Sequence, residues 1–124
     1  MKKIVLALVF ATTVLVGGCY YDVEEELYPP VNVCTTPATV SFAQHVNPLL
    51  QSYGCIGCHN TAAPSGNVNM ANYNGVKAKV NDGRLWGAIN HMQGFSPMPQ
   101  GGNKMAACDL ATIRAWIDAG ALNN

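Results

Sequence analysis

The sequence is poor in charged residues, and its basic residues form no patch. Asp, Glu, Lys and Arg together make up 11% of the 124 residues, and the formal net charge at pH 7 is zero. Binding of nucleic acid depends on clustered Lys and Arg side chains, so nucleic acid is not expected as a partner. The low charge density also argues against strong electrostatic steering of a protein partner.

The cysteine pattern argues against two common kinds of metal or redox site. Cys55 and Cys58 form a C-x-x-C pair, and the sequence contains neither a second such pair nor two closely spaced histidines. A structural zinc site needs four ligands of these types, so zinc is not expected. A thioredoxin-like dithiol follows a strand within a βαβ pattern, which the neighbouring sequence lacks.

The longest hydrophobic run is short for a membrane-spanning helix. It covers residues 4–16, whereas such a helix needs roughly 20 apolar residues. Lys2 and Lys3 precede the run, and small residues end it. Residues 1–18 are therefore expected to be a signal peptide for export.

The end of this signal resembles the lipobox of bacterial lipoproteins, with the sequence Val16-Gly17-Gly18-Cys19. The resemblance implies that Cys19 is acylated, becomes the mature N-terminus and anchors the exported protein to a membrane. Tyr20 stands where inner-membrane lipoproteins of that family carry aspartate. An outer-membrane anchor facing the periplasm is therefore favoured, and the cell surface is a second location. An ordinary secretory signal with a coincidental cysteine is the alternative.

Residues 19–38 are expected to be a lipidated N-terminus and flexible tether, and residues 39–124 to be the folded domain. An acidic run at residues 22–26 is followed by Pro29-Pro30, which disfavours helix. A spacer that holds the domain away from a lipid surface and a merely disordered N-terminus both fit this composition.

The central motif is Cys55-Ile56-Gly57-Cys58-His59, a C-x-x-C-H sequence. In an exported chain this motif is typical of covalent haem attachment. Two thiols three positions apart can reach the two vinyl groups on one edge of a porphyrin. The next residue, His59, is then carried under the ring, where an imidazole nitrogen can bind the iron. A zinc half-site, a redox dithiol and a structural disulfide are the alternatives.

Apolar residues at helical spacing predict four helices in the folded domain. The first contains Pro48, so it either bends there or begins near Asn47. The last has a regular apolar face and is expected to stop at Gly120 in the left-handed conformation. Residues 60–72 are rich in Ala, Gly, Asn and Pro and predict a loop around the haem. The predicted helices cover residues 41–53, 73–80, 83–92 and 109–119.

Met98 lies between Pro97 and Pro99 and is followed by two glycines. A thioether is a weak iron ligand, so its loop must hold it in place, and the flanking prolines lower the entropy lost when the loop docks. Met98 is therefore the predicted sixth iron ligand. If His91 is not an iron ligand, its expected role is a hydrogen bond within this loop. The alternatives to Met98 are an open sixth position or ligation by His91, Met92, Met105 or Met70.

Two cysteines remain when Cys19 is assigned to lipid and Cys55 and Cys58 to haem. In an exported protein the remaining two, Cys34 and Cys108, are expected to form a disulfide. The long loop that this bond closes would stabilise the fold by roughly 4 kcal/mol according to the chain-entropy argument. Two unpaired thiols are the alternative.

Three motifs together resemble a small monohaem class I cytochrome c domain of a bacterial lipoprotein. They are the C-x-x-C-H sequence after a helix, the P-M-P-x-G-G sequence at residues 97–102, and the I-x-x-W-I-x-x-G-A sequence of the closing helix. The likeness covers residues 40–122. It implies an all-α fold of three to five short helices around one covalent haem c. It also implies thioethers at Cys55 and Cys58 and axial ligation by His59 and Met98.

The function that follows is electron transfer rather than catalysis. Iron with both axial positions filled by the protein does not readily bind a substrate, so a one-electron carrier with transient redox partners and no small-molecule substrate is expected. One alternative is a cytochrome subunit of a larger membrane redox complex. Others are a haem peroxidase or sensor with an open sixth position, and a disulfide-stabilised binding module without haem.

Overall fold

The computed structural model describes residues 34–124, and every regular element in this range is helical. The predicted signal peptide, Cys19 and the tether up to residue 33 lie outside the described residues. The all-α class is confirmed for residues 34–124, where no strand occurs. None of these helices has the length and apolar character that a membrane crossing requires. In chain order the elements are a π-helical turn (Phe42–Val46), α1 (Asn47–Ser52), α2 (Cys55–Cys58), a 3₁₀ turn (Ser65–Asn67), α3 (Tyr73–Asn81), α4 (Arg84–Ile89) and α5 (Ala107–Asp118).

Pro48 explains why the first predicted helix has two parts. Proline has no N–H to donate, and its ring crowds the carbonyl four residues earlier, so the turn before it widens. The Val46 N–H accordingly bonds to the Ser41 carbonyl at 3.3 Å, five residues back. The α-helix itself begins at Asn47, with Pro48 in its first turn. The α-helical part thus begins at Asn47, as the second predicted outcome has it, but helical backbone already begins at Phe42.

The hydrophobic core lies between this first helical segment and α5. The Phe42 ring lies 5.5 Å from the Trp116 ring and meets the Tyr73 ring edge-on at 5.3 Å between centroids. Such aromatic contacts add to the stabilisation that apolar burial provides. The fully buried large side chains of the core are Val46, Leu50, Val76, Ile113 and Trp116.

The segment after α5 returns to this core. Gly120 takes a left-handed φ of 93°, as predicted, and the Ala121 N–H bonds to the Trp116 carbonyl at 2.8 Å. The Tyr73 hydroxyl donates to the Ala121 carbonyl at 2.9 Å. Asn124 accepts the Phe42 N–H through Oδ1 at 2.9 Å. The end of the described chain is thus joined to α3 and to the start of the first helical segment.

A disulfide joins Cys34 to Cys108, the pairing that the sequence predicts. The two Cα atoms are 5.0 Å apart, and the bond closes a loop of 74 positions. Cys108 is the second residue of α5, so the bond fixes the first described residue to the start of the last helix.

Tyr53 connects the end of α1 to the start of α5. Its hydroxyl donates to Asp109 Oδ2 at 2.7 Å and accepts the Ala106 N–H at 3.0 Å. The pKa of the Tyr53 phenol is raised above its ordinary value. The Ala106 N–H, the largest single influence, lowers this pKa, but the hydrogen bond to Asp109, burial and the Asp109 charge together outweigh it. Because Tyr53 lies two residues before Cys55, this contact fixes where the C-x-x-C-H sequence starts.

Candidate haem site

The two thiols of the C-x-x-C-H sequence lie on one short helix. Cys55 and Cys58 are the first and last residues of α2, and both are free cysteines, Cys55 half-buried and Cys58 exposed. Residues three apart lie on the same face of a helical turn, so both sulfur atoms are presented from one side. Burial raises the pKa of the Cys55 thiol, and the neighbouring Cys58 raises it further.

The ring of His59 is oriented by two backbone carbonyls. Its Nδ1 lies 3.1 Å from the Val68 carbonyl oxygen and 3.2 Å from the Ser65 carbonyl oxygen. Carbonyl oxygens only accept, so Nδ1 carries the proton in these contacts. The lone pair is then on Nε2, which is the nitrogen available to bind a metal. Metal-binding histidines commonly have their other ring nitrogen bonded in this way.

The predicted loop of residues 60–72 folds back onto His59. The Met70 N–H bonds to the His59 carbonyl at 2.8 Å. Near the start of the loop, Asn60 Oδ1 accepts the N–H groups of Ala62 and Ala63 at 3.0 and 2.9 Å. Both ends of the loop are therefore fixed close to the C-x-x-C-H sequence, and the loop supplies the carbonyls that orient the imidazole.

The helix predicted for residues 83–92 is shorter in the structure, because α4 ends at Ile89. His91 takes a left-handed φ of 53°. The Met92 N–H bonds to the Gly87 carbonyl at 2.9 Å and the His91 N–H to the Ala88 carbonyl at 3.2 Å. This is the hydrogen-bond pattern of a Schellman motif, which normally has glycine where His91 stands. The predicted C-terminal boundary was wrong because no glycine marks this stop.

The end of α4 holds the backbone of Met98 on both sides. The Met98 N–H donates to the Ala88 carbonyl at 3.0 Å, and the Met98 carbonyl accepts from His91 Nε2 at 3.0 Å. Phe95 adds an apolar contact, since its ring lies where a side chain at Gly87 would have to be. The half-buried Met98 is thus part of a loop docked on α4 at three points.

The residues weighed as alternatives to Met98 have other surroundings. Met70 and Met105 belong to the hydrophobic core, with 6% and 3% of their surface exposed. Met92 is 43% exposed. His91 uses Nε2 in its bond to the Met98 carbonyl, the loop hydrogen bond expected as its other role.

The four side chains predicted to hold the haem, which are called the donor set below, therefore fall into two groups. Cys55, Cys58 and His59 are adjacent at α2, whereas Met98 is held by α4, and within residues 34–124 no hydrogen bond joins these two groups. Two surface cavities of about 210 and 400 Å³ contact residues 37–40, the first helical segment and α5, and neither is lined by these four residues.

The chemistry of this donor set fits a covalently attached haem. Two free thiols on one helical turn, an imidazole with its Nε2 lone pair available and a thioether on a docked loop are the groups that such a cofactor requires. In the described part of the chain, no three His, Cys, Asp or Glu side chains are arranged to hold a metal ion.

Sequence reasoning did not find the groups that orient the ligands. These groups are backbone carbonyls, those of Ser65, Val68 and Ala88. Every residue type carries such a carbonyl, so the sequence does not indicate them. Gly75 and Gly87 gave the available signals, because a glycine inside a predicted helix often marks a close approach. The backbone at Asn69 approaches Gly75, and the Phe95 ring approaches Gly87. Comparisons of the chain with protein-family models, with curated proteins and with solved structures found no match.

Proposed function

We propose that this chain is a one-electron carrier, a monohaem c-type cytochrome. The observation that carries the proposal is the orientation of His59, directly after two free thiols on one helical turn. With Nδ1 bonded to the Val68 carbonyl at 3.1 Å, the imidazole is restricted to ligation through Nε2. A structural disulfide or a redox dithiol would not require an oriented imidazole at the next position.

The residues of the site have different roles in holding the cofactor. Cys55 and Cys58 would attach the cofactor permanently, each thiol adding its sulfur to one carbon of a vinyl group and its hydrogen to the other. His59 Nε2 and the Met98 sulfur would hold the iron. Haem, when bound, supplies an iron that alternates between the ferric and ferrous states. With both ligands supplied by the protein, the iron would have no site for a substrate, so the proposed activity is electron transfer and not catalysis.

The partners proposed for this carrier are transient redox proteins, one donor and one acceptor. The segments at residues 60–72 and 92–103 contain no Asp, Glu, Lys or Arg. They adjoin the two axial ligands and include the exposed side chains of Met92 and Phe95. A surface of this kind suits a small, short-lived interface whose recognition does not depend on paired charges.

The absorption spectrum of the purified full-length protein tests the proposal. We expect colour that stays with the polypeptide in acid acetone and on a denaturing gel. We also expect a ferric spectrum that changes only slowly on addition of cyanide, because cyanide must displace Met98. A colourless protein, or pigment extracted by acid acetone, would show that the proposal is wrong. Immediate binding of cyanide or carbon monoxide would instead favour a peroxidase or sensor with an open sixth position.

Two pairs of cysteine variants provide a matched control. The double variant Cys55→Ala and Cys58→Ala should lose covalent haem. The double variant Cys34→Ala and Cys108→Ala removes the same number of sulfur atoms at the disulfide and should keep it. Equal loss of covalent haem in both would argue against attachment at Cys55 and Cys58.

We also propose export and lipid anchoring through Cys19, most simply at the outer membrane. This proposal rests on the signal sequence, and the Cys34–Cys108 disulfide supports an oxidising compartment. Cys19→Ser should release the protein from the membrane fraction, whereas unchanged membrane association would count against the anchor. Stable co-purification with other redox subunits would favour the alternative of a larger membrane complex.

A further inference from the structure

His91 occupies a backbone position that suits glycine better than histidine. It lies two residues beyond Ile89, the last residue of α4, and has a left-handed φ of 53°. A side chain in this conformation is strained by contact between Cβ and the backbone, which is why glycine or asparagine usually stands there. Strained residues persist where another interaction depends on them. The side chain of His91 is therefore expected to make an interaction that compensates for the strain.

That side chain bonds to the proposed sixth ligand. His91 Nε2 donates to the Met98 carbonyl at 3.0 Å, in a partly buried contact. The Ala88 carbonyl accepts the Met98 N–H, also at 3.0 Å. One polar backbone group of Met98 is thus bonded to the last turn of α4, and the other to the side chain of His91 just beyond that turn. Only the side chain of Met98 retains freedom, and its starting point is fixed.

We infer that His91 is a positioning residue, which keeps the Met98 sulfur on the iron by fixing the Met98 carbonyl. The inference rests on the proposed function, since it requires Met98 to be an axial ligand. A thioether bonds iron weakly, so the fraction of time it is displaced depends on how firmly its loop is docked. Loss of one net hydrogen bond should raise the displaced fraction roughly twofold to tenfold.

The test compares His91→Gly with His91→Gln in the holoprotein. Glycine suits the left-handed backbone but removes the donor, whereas glutamine keeps an N–H donor at a similar distance from Cα. The probe is cyanide, whose binding rate to ferric iron reports how often Met98 leaves. We expect binding to be roughly twofold to tenfold faster in His91→Gly and close to the wild-type rate in His91→Gln.

Stability separates this role from a merely structural one. His91→Gly should unfold close to the denaturant concentration of the wild type, because the relief of backbone strain offsets the lost hydrogen bond. Faster cyanide binding without loss of stability is therefore specific to the lost donor.

His45→Ala is the control: His45 accepts the Ser41 N–H in the π-helical turn, so its loss should leave the cyanide rate unchanged.

Two results would overturn the inference, and they are distinguishable. If Met98→Ala leaves the ferric spectrum and the cyanide rate as in the wild type, the proposed ligand set is wrong and the role of His91 fails with it. If Met98→Ala binds cyanide at once but His91→Gly binds it at the wild-type rate, the proposed ligand set stands and the positioning role alone is wrong.

Discussion

Gly75 lies inside α3 because the backbone of the preceding loop occupies the space that a side chain would need. A Cβ at this position would overlap the carbonyl oxygen of Asn69. Asn69 follows Val68, whose carbonyl orients His59. Gly75→Ala must therefore move backbone on one side of the contact. We expect it to lower the free energy of unfolding by roughly 1–3 kcal/mol, measured by denaturant titration.

Gly57→Ala is the control for this prediction. Gly57 also lies within a helix, α2, but a Cβ added there meets no atom within 4 Å. Its unfolding free energy should change by less than roughly 1 kcal/mol, and in the stabilising direction, because alanine favours helix. If the two variants lost the same stability, the close approach at Gly75 would not be the cause.

The Tyr53 hydroxyl provides a second prediction at the scale of single residues. Tyr53→Phe leaves the Ala106 N–H and the Asp109 carboxylate without this partner, so it should cost roughly 1–2 kcal/mol of unfolding free energy at neutral pH. The folded protein binds the Tyr53 proton more tightly than the unfolded chain, because the pKa is raised above 10.0. This stabilisation is complete below pH 10.0 and is lost as the pH rises through the raised pKa.

The difference in stability between the wild type and Tyr53→Phe should therefore shrink in alkaline solution. Asp109→Asn keeps an acceptor for the Tyr53 hydroxyl but removes the negative charge that raises the Tyr53 pKa. When Tyr53→Phe is added to this variant, the stability difference that it causes should begin to shrink at a lower pH. A difference that stays constant or widens with rising pH would contradict the assigned direction of the pKa shift.

The chemistry of the site could be predicted from single residues, but its orientation could not. The positions of Cys55, Cys58 and His59 in one motif indicate which atoms are available for a haem. Which nitrogen of His59 is free depends on the Val68 carbonyl, nine residues away, and every residue type carries that carbonyl. Side-chain identity therefore predicts the donor atoms, whereas the path of the backbone decides how they are held.

At the scale of helices, spacing predicted where helices exist better than where they end. The last predicted helix, 109–119, differs little from α5 because Gly120 marks its stop. The helix predicted for residues 83–92 ends three residues early, since His91 takes the left-handed position without a glycine to indicate it. The contact between Tyr53 and Asp109 joins residues 56 positions apart and has no local signal.

The disulfide allows a prediction at the scale of helices, because it joins Cys34, the first described residue, to α5. Reducing it frees a loop of 74 positions in the unfolded chain. The double variant Cys34→Ala and Cys108→Ala should lose roughly 4 kcal/mol of unfolding free energy, as expected from loop-closure entropy. Denaturant unfolding of the variant, beside wild type with and without reductant, measures this. Coinciding curves for all three would show that the bond does not stabilise the fold.

The distribution of charge over the whole molecule affects how electrons would be exchanged. Without the predicted signal peptide the chain carries five basic and seven acidic residues, but the segment after His59 (residues 60–72) and the segment that contains Met98 (residues 92–103) have none of either sign. Salt weakens an encounter only where charges act on it, and the Debye length falls from about 30 Å at 0.01 M to about 3 Å at 1 M. Electron transfer through this surface should therefore depend little on ionic strength.

The rate of reduction by ferrocyanide, an anion, tests this expectation. For the wild type we expect the second-order rate constant to change less than about twofold over that range of salt. The double variant Ala62→Lys and Ala63→Lys places two positive charges on exposed positions of the loop after His59. It should react faster at low salt and slow down as salt is added. A wild-type rate as sensitive to salt as the variant's would show that electrons enter through a charged surface elsewhere on the molecule.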